Sequence, residues 1–155
     1  MDNYQYCAGL GTLQKLRICC IINSHSGTAG QSPARLVNEL FIKRGITAKI
    51  LEPRDNNSIA ALAKNAMDED YDIIVAGGGD GTINAVASAI VGNSAIKLGI
   101  LPMGTFNHFA RDLGLPIDLE KAVEIIVAGQ VKSVDAGEVR AGSGNLHRGI
   151  GGFSA

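Results

Sequence analysis

Four short apolar runs, separated by segments with helical periodicity, limit the fold of this chain more than any other feature. The runs at residues 17–23, 47–51, 72–76 and 97–101 are rich in aliphatic residues and have the length of strands. Between them, apolar residues recur at the three- and four-residue spacing of a helix. A strand–helix order repeated four times predicts a three-layer αβα fold with a mostly parallel sheet and right-handed crossovers.

Capping residues and apolar stripes predict where the other elements begin and end. The expected helices cover, in chain order, residues 33–44, 58–67, 83–90, 106–113 and 119–128. Ser32 and Thr105 are the expected N-caps of the first and fourth helices, while Gly45 and Gly129 are expected to end the first and fifth. Residues 1–16 have no clear period and are expected to be an irregular lead-in, whereas residues 131–139 are expected to form a strand. Cys19 and Cys20, adjacent on the first strand, should point to opposite faces of the sheet.

Composition excludes several classes of protein. A chain of 155 residues suits one domain, which can remove roughly 70% of its unfolded surface from water. The net charge of −1 lacks the basic surplus that nucleic-acid binding requires. Three cysteines without C-x-x-C spacing indicate no zinc site and a reducing compartment, the cytoplasm. The sequence has no signal-peptide pattern and no apolar run of membrane-spanning length, so any contact with membrane is expected to be peripheral.

Three loops follow the expected strands, at residues 23–30, 77–84 and 102–107. Ligands of open parallel sheets bind beyond the carboxyl ends of the strands. All three loops are rich in glycine or in small hydroxyl and amide residues, which offer backbone N–H groups and short donors to an anion. The sequence therefore predicts a phosphate-binding edge built without much lysine.

The middle loop, Gly77-Gly78-Gly79-Asp80-Gly81-Thr82-Ile83-Asn84, is the sharpest signal. Its three consecutive glycines let phosphate approach the backbone, and Gly81 permits a positive φ. A carboxylate such as Asp80 beside a polyphosphate indicates a metal ion, a ribose hydroxyl or proton handling. The alternative interpretation is a glycine-rich turn in which Asp80 merely caps a helix.

Other glycine motifs do not match. A dinucleotide fingerprint that started at Gly77 would need glycine or alanine where Thr82 stands. Neither the G-x-x-x-x-G-K-[ST] phosphate loop nor the Gly-x-Ser-x-Gly elbow of serine hydrolases occurs.

Three segments, in order, resemble the diacylglycerol kinase catalytic domain, which is shared with sphingosine and ceramide kinases and is more remotely similar to NAD kinases and phosphofructokinases. Residues 77–84 resemble its glycine-rich signature, and Asn23-Ser24-His25-Ser26-Gly27 resembles its Asn-Pro-x-Ser-Gly phosphate loop. Residues 102–111 resemble its Pro-x-Gly-Thr-x-Asn-Asp-Phe-Ala-Arg stretch, and the likeness runs from about residue 17 to the end.

The resemblance implies the nucleotide-binding lobe of an ATP-dependent lipid kinase that transfers the γ-phosphate to a lipid hydroxyl, such as that of diacylglycerol, at the membrane surface. Asp80 would be central to Mg²⁺–ATP recognition and is the candidate catalytic residue. The residues expected to hold ATP are Asn23, Ser24, His25, Ser26, Gly27, Gly78, Gly79, Asp80, Gly81, Thr82, Ile83, Asn84 and Thr105.

The sequence departs from the family pattern at several positions. Ser24 stands where the family has proline, and His108 replaces an aspartate, which removes a carboxylate that could face a metal. After Leu51 the family often places a nucleotide-contacting threonine, and none can be assigned here.

The resemblance also predicts the division of the chain. Residues 17–140 would be the nucleotide-binding domain, and residues 141–155 would begin a β-sandwich lobe that is otherwise missing. Loss of that lobe would leave apolar surface uncovered, so self-association into a homo-oligomer is expected. Two alternatives remain open: a nucleotide-binding regulatory or remnant module without activity, and an NAD kinase-like enzyme.

Overall fold

The structure is a computed structural model that describes residues 4–6, 13–24, 32–136, 138–139 and 149–150. Their strands are β1 (Tyr4–Tyr6), β2 (Leu13–Lys15), β3 (Ile18–Ile22), β4 (Lys49–Leu51), β5 (Ile73–Gly78), β6 (Lys97–Pro102), β7 (Glu138–Val139) and β8 (Gly149–Ile150). Their helices are α1 (Pro33–Lys43), α2 (Ser58–Met67), α3 (Asp80–Ile90), α4 (His108–Asp112) and α5 (Leu119–Ala128).

The central sheet has four parallel strands in the order β4-β3-β5-β6. On β3, Ile21 pairs with Leu51 of β4 on one side and with Ala76 of β5 on the other. The chain passes from β3 to one neighbour and then returns to the other, so the strand order reverses between β3 and β5. A crevice opens at the carboxyl ends of strands at such a reversal, and ligands of doubly wound folds bind there.

Two separate hydrophobic clusters cover the two faces of this sheet. Side chains of α1 and α5, among them Phe41 and Val123, pack on one face with Ile22 and Val75. Side chains of α2, α3 and α4 pack on the other face in a second cluster that includes Ile83. The predicted three-layer αβα architecture with a parallel sheet is confirmed.

Cys19 and Cys20 point to opposite faces of β3, as the strand period predicts. Cys20 lies in the cluster under α1 and α5, and Cys19 lies in the cluster under α2 and α3. Burial raises the pKa of the Cys19 thiol to about 11 and raises the pKa of the Cys20 thiol well above its usual value. Both side chains are therefore neutral packing groups at neutral pH.

Local signals place most helix ends correctly. Gly45 and Gly129 both have positive φ at the ends of α1 and α5, as predicted. Ser32 occupies the N-cap position of α1 but makes no side-chain cap hydrogen bond. The prediction that Thr105 caps the fourth helix is wrong, because α4 begins at His108.

Two other segments differ from the sequence prediction. Residues 131–136 form no strand and are exposed, and β7 is confined to Glu138–Val139, which pairs antiparallel with β8. The expected strand over residues 131–139 is therefore wrong over most of its length, since these residues make no ladder with β6. The lead-in was expected to be irregular, and it contains the antiparallel pair β1 and β2. The expectation for residues 141–155 lies outside the described residues except for β8.

No helix in the described ranges is both long enough and apolar enough to cross a membrane.

Candidate functional site

The described parts of the three loops lie at the carboxyl edge of the sheet, where the sequence places them. Asn23 directly follows β3, Gly79 joins β5 to α3, and Met103 directly follows β6. The predicted site residues His25, Ser26 and Gly27 lie outside the described residues. The rest of the site can be built from the hydrogen bonds between these loops.

Asn23 joins three elements at this edge. Its backbone N–H donates to the carbonyl of Gly77 at 2.8 Å. Its side-chain amide donates to Thr82 Oγ1 at 3.1 Å and to Asn56 Oδ1 at 3.2 Å. Asn23 and Thr82 are both buried, so the bond between them is shielded from water and holds the end of β3 against the first turn of α3.

Packing within the chain explains two glycines of the central loop. A Cβ on Gly78 would lie 2.6 Å from Thr82 Oγ1, and a Cβ on Gly77 would lie 2.5 Å from Ile22 Cδ1. Neither position has room for a side chain unless its neighbours move. These glycines let α3 fold back closely over the end of β5, which brings its N-terminus to the crevice.

The central loop and the third loop touch through their backbones. A Cβ on Gly104 would lie only 2.5 Å from the Cα of Gly79. The N–H of Met103 donates to the carbonyl of Gly78 at 2.9 Å, which extends the pairing of β5 and β6 beyond the strands. Gly104 therefore lets the two loops lie in direct contact.

Gly81 differs from these glycines. A Cβ at Gly81 would meet no atom within 4 Å, and the residue is exposed in the first turn of α3. Gly81 could adopt a positive φ but does not, because the described glycines with positive φ are elsewhere. Gly79 is the N-cap of α3, and no side chain of the described residues makes a capping hydrogen bond to this helix. The first N–H groups of α3 lie at the crevice without such a cap.

Asp80 makes a contact that the local sequence does not reveal. Its two carboxylate oxygens accept hydrogen bonds from the backbone N–H groups of His108, at 3.1 Å, and Phe109, at 2.9 Å. Asp80 therefore caps α4, a helix 28 residues further along the chain. The alternative interpretation is correct that Asp80 caps a helix, but that helix is α4 and not α3, to which Asp80 belongs. Each oxygen keeps a further lone pair that could face a ligand.

Asn107, which was not proposed as a site residue, shapes the third loop. It is a buried non-glycine residue with a φ of 51°, in the left-handed region. Its side chain accepts from the N–H of Gly104 at 2.9 Å and donates to the carbonyl of Gly104 at 2.8 Å. These two bonds close the loop, so Thr105 and Phe106 project from its tip, where both are exposed.

The remaining predicted residues have mixed positions. The Ser24 hydroxyl donates a hydrogen bond to Oε2 of Glu52, the residue that directly follows β4. Ile83 has its side chain in the core and donates its N–H to the carbonyl of Gly79 at 3.1 Å, so it offers nothing to a ligand. Asn84 is half-buried, with its Oδ1 3.4 Å from the Ser88 hydroxyl. The contacts of Glu52 and Asn56 were missed by sequence reasoning, although both residues follow a strand whose carboxyl end lies at this edge.

A magnesium ion bound together with phosphate would need few ligands from the protein. Within the described part of the chain, no group of three or more metal-binding side chains could form a metal cage. Magnesium bound with a nucleotide needs only one or two protein carboxylates, because phosphate oxygens and water complete its shell. Asp80 at the start of α3 fits that smaller requirement.

The model of the diacylglycerol kinase catalytic domain family matches residues 17–139 of the chain. The chain belongs to this family. Within the diacylglycerol kinase catalytic domain family, it is 42% identical over 109 residues to "Diacylglycerol kinase" of Staphylococcus carnosus, which covers 68% of this chain and 36% of that protein. It is 43% identical over 117 residues to "Probable lipid kinase YegS" of Escherichia fergusonii, which covers 74% of this chain and 39% of that protein. The chain therefore spans well under half the length of these relatives.

A solved structure agrees with the family's fold. The diacylglycerol kinase structure from Bacillus anthracis str. Sterne superposes with a TM-score of 0.65 at 24% identity, covering 77% of this chain and 42% of that chain. This likeness supports the arrangement of sheet and helices in the diacylglycerol kinase catalytic domain. The resemblance expected from the three motifs is confirmed.

Proposed function

We propose that this chain is the ATP-binding lobe of a lipid kinase, and that the longer protein to which its relatives correspond transfers the γ-phosphate of ATP to a lipid hydroxyl. The observation that supports this most directly is the uncapped first turn of α3 at the strand reversal, with Gly81 unexplained by packing. A phosphate at that point would accept from bare N–H groups and interact favourably with the helix dipole.

The proposed phosphate transfer depends on how the reactants are positioned and on neutralisation of the phosphate charge, and it involves no covalent intermediate with the protein. The lipid hydroxyl oxygen attacks the γ-phosphorus, the bond from that phosphorus to the bridging oxygen breaks, and ADP leaves. The hydroxyl proton passes to a base that this chain does not identify. The N–H groups of residues 80–82 would hold phosphate oxygens, and a magnesium ion bound with ATP would neutralise developing charge beside Asp80. Asn23 and Thr82 would keep these donors in place through their buried bond.

Calorimetric titration of Mg²⁺ and ATP into the 155-residue chain tests the proposal, and binding is expected. Asp80→Ala is expected to weaken this binding while also loosening α4, so thermal melting of the variant is recorded beside its affinity. Absence of heat with well-folded wild-type chain, or full affinity in folded Asp80→Ala, would contradict the assigned site.

Transfer assays separate this proposal from its alternatives. The chain is incubated with Mg²⁺, γ-labelled ATP and either diacylglycerol or NAD. Labelled lipid supports the lipid kinase, and labelled NADP supports an NAD kinase-like enzyme. Binding without transfer is expected of this chain, because it spans under half of its relatives. If a longer version that includes the rest of a relative's length also transfers nothing, the module without activity is the better account.

A further inference from the structure

Phe106 is an exposed aromatic residue at the rim of the candidate site. It exposes 67% of its surface, more than any other large apolar residue in the described ranges. A single exposed apolar residue is ordinary on a protein surface, so exposure alone carries no conclusion. The position of this residue and the contacts that hold it indicate a role for the exposed ring.

Phe106 is held outward by the loop that carries it. Its ring stacks on the ring of His108, with centroids 5.6 Å apart and planes inclined by 8°. The backbone of His108 is tied to Asp80, and Asn107 closes the loop behind Phe106 with two bonds to Gly104. The loop therefore holds the ring in a fixed, outward position next to the glycine-rich loop at residues 77–84.

The side of the crevice on which Phe106 lies favours one occupant. The nucleotide crevice lies between β3 and β5, whereas the third loop follows β6 at the sheet edge. A phosphate acceptor must approach the nucleotide from outside the crevice, and a lipid acceptor stays with its acyl chains in a bilayer. If the acceptor approaches past the β6 side, the rim on which Phe106 stands comes close to the bilayer surface, where aromatic and aliphatic side chains insert.

We propose that Phe106 inserts into the interface of a phospholipid bilayer and holds this edge of the sheet against it. The inference rests on the proposed function, since it supplies the membrane contact that a lipid kinase needs. The net charge of −1 gives little electrostatic attraction to a membrane, so apolar insertion supplies the attraction. Binding to vesicles is accordingly expected to change little with salt.

Tryptophan fluorescence tests this contact, because the chain contains no tryptophan. Phe106→Trp places one fluorophore at the rim, and Val91→Trp places one at a residue that is 53% exposed at the far end of α3. On addition of phosphatidylcholine vesicles, the emission of Phe106→Trp is expected to shift to shorter wavelength. Brominated acyl chains in the vesicles are expected to quench it. The emission of Val91→Trp is expected to stay unchanged.

A binding assay with Phe106→Ala gives a second measurement. Loss of the ring is expected to weaken sedimentation with these vesicles by about tenfold or more, whereas Phe106→Leu retains most of it. MgATP affinity is expected to be the same in wild type and Phe106→Ala, and both are expected to melt alike, because the ring packs against no core residue.

The outcomes separate this inference from the proposed function. Vesicle quenching in a chain that binds no MgATP would support the membrane contact and reject the nucleotide site. Unchanged emission on vesicles would overturn the membrane contact even if MgATP binds. Emission that responds to MgATP but not to vesicles would also overturn it, because Phe106 would then be a stacking surface for the base.

Discussion

Gly104→Ala is expected to lower the free energy of unfolding by about 3 kcal/mol, near the upper end of what added core volume costs. The added Cβ would lie 2.5 Å from the Cα of Gly79 and 3.1 Å from Asn107 Oδ1. The nearest atom belongs to backbone, so no flexible side chain can turn away to make room. Relief would require separation of the two loops, which would strain the bonds from Met103 N–H to the Gly78 carbonyl and from Gly104 N–H to Asn107 Oδ1.

Thermal melting measures this effect. For a chain of this size, a loss of about 3 kcal/mol corresponds to a fall of roughly 10 °C in melting temperature. Gly81→Ala is the matched control, because it adds the same methyl group where no atom lies within 4 Å. Melting of Gly104→Ala together with wild type would show that the two loops do not touch as described.

The sequence predicts the sheet and helix layers well because each signal is local or strictly periodic. The continuous apolar run at residues 72–76 predicts a strand buried on both faces, and the strand observed there, Ile73–Gly78, is buried throughout. Gly45 and Gly129 end their helices because a left-handed residue stops the helical hydrogen bonding. The three motifs follow strands, which predicts a ligand site at the carboxyl edge of the sheet.

Tertiary contacts explain most of what the sequence does not predict. Thr105 has the composition of an N-cap, but the capping acceptor of α4 is Asp80, which no local pattern connects to residues 108 and 109. Asn107 adopts a left-handed conformation in which its side chain bonds Gly104, a geometry that shortens the helix expected from the apolar stripe. Asp80 therefore acts across the fold, whereas Asn107 acts within its own loop.

Residues 131–136 fail as a strand for a different reason. A strand is stable only with a neighbour that completes its hydrogen bonds, and residues 131–136 pair with no strand in the described ranges, although the second edge of β6 is unpaired there. The valines at 131 and 134 fit strand composition, yet they expose 61% and 39% of their surface. Composition predicts the tendency of a segment to form a strand, but whether the strand forms depends on a neighbouring strand in the folded sheet.

The glycines of the site divide by what they accommodate, which motif reading cannot show. Gly78 makes room for Thr82, and Gly104 makes room for Gly79, so both positions are explained by the chain's own packing. Among the described residues, Gly81 has no neighbour within 4 Å of the position that a Cβ would take. A glycine costs roughly 0.5–1 kcal/mol relative to alanine in a helix, and no gain within the fold offsets that cost at Gly81. A ligand that approaches the first turn of α3 would supply the missing reason.

Gly81→Ala is therefore expected to separate stability from nucleotide binding. The variant should melt at or slightly above the wild-type temperature, because alanine favours the helix and meets no neighbour. Its affinity for MgATP should fall by tenfold or more, since the methyl group would displace phosphate from N–H groups whose charged hydrogen bonds contribute about 1.5–3 kcal/mol each. Titration calorimetry measures the second effect, and thermal melting measures the first.

Tripolyphosphate, which has no base or sugar, shows where that affinity is lost. If Gly81→Ala weakens tripolyphosphate and MgATP by the same factor, the lost contact is to phosphate, as a site on the first turn of α3 requires. Equal MgATP affinity in wild type and variant would mean that phosphate does not reach this turn. Gly81 would then destabilise the helix for no reason that the fold or the proposed ligand explains. The nucleotide would have to bind elsewhere along the carboxyl edge of the sheet.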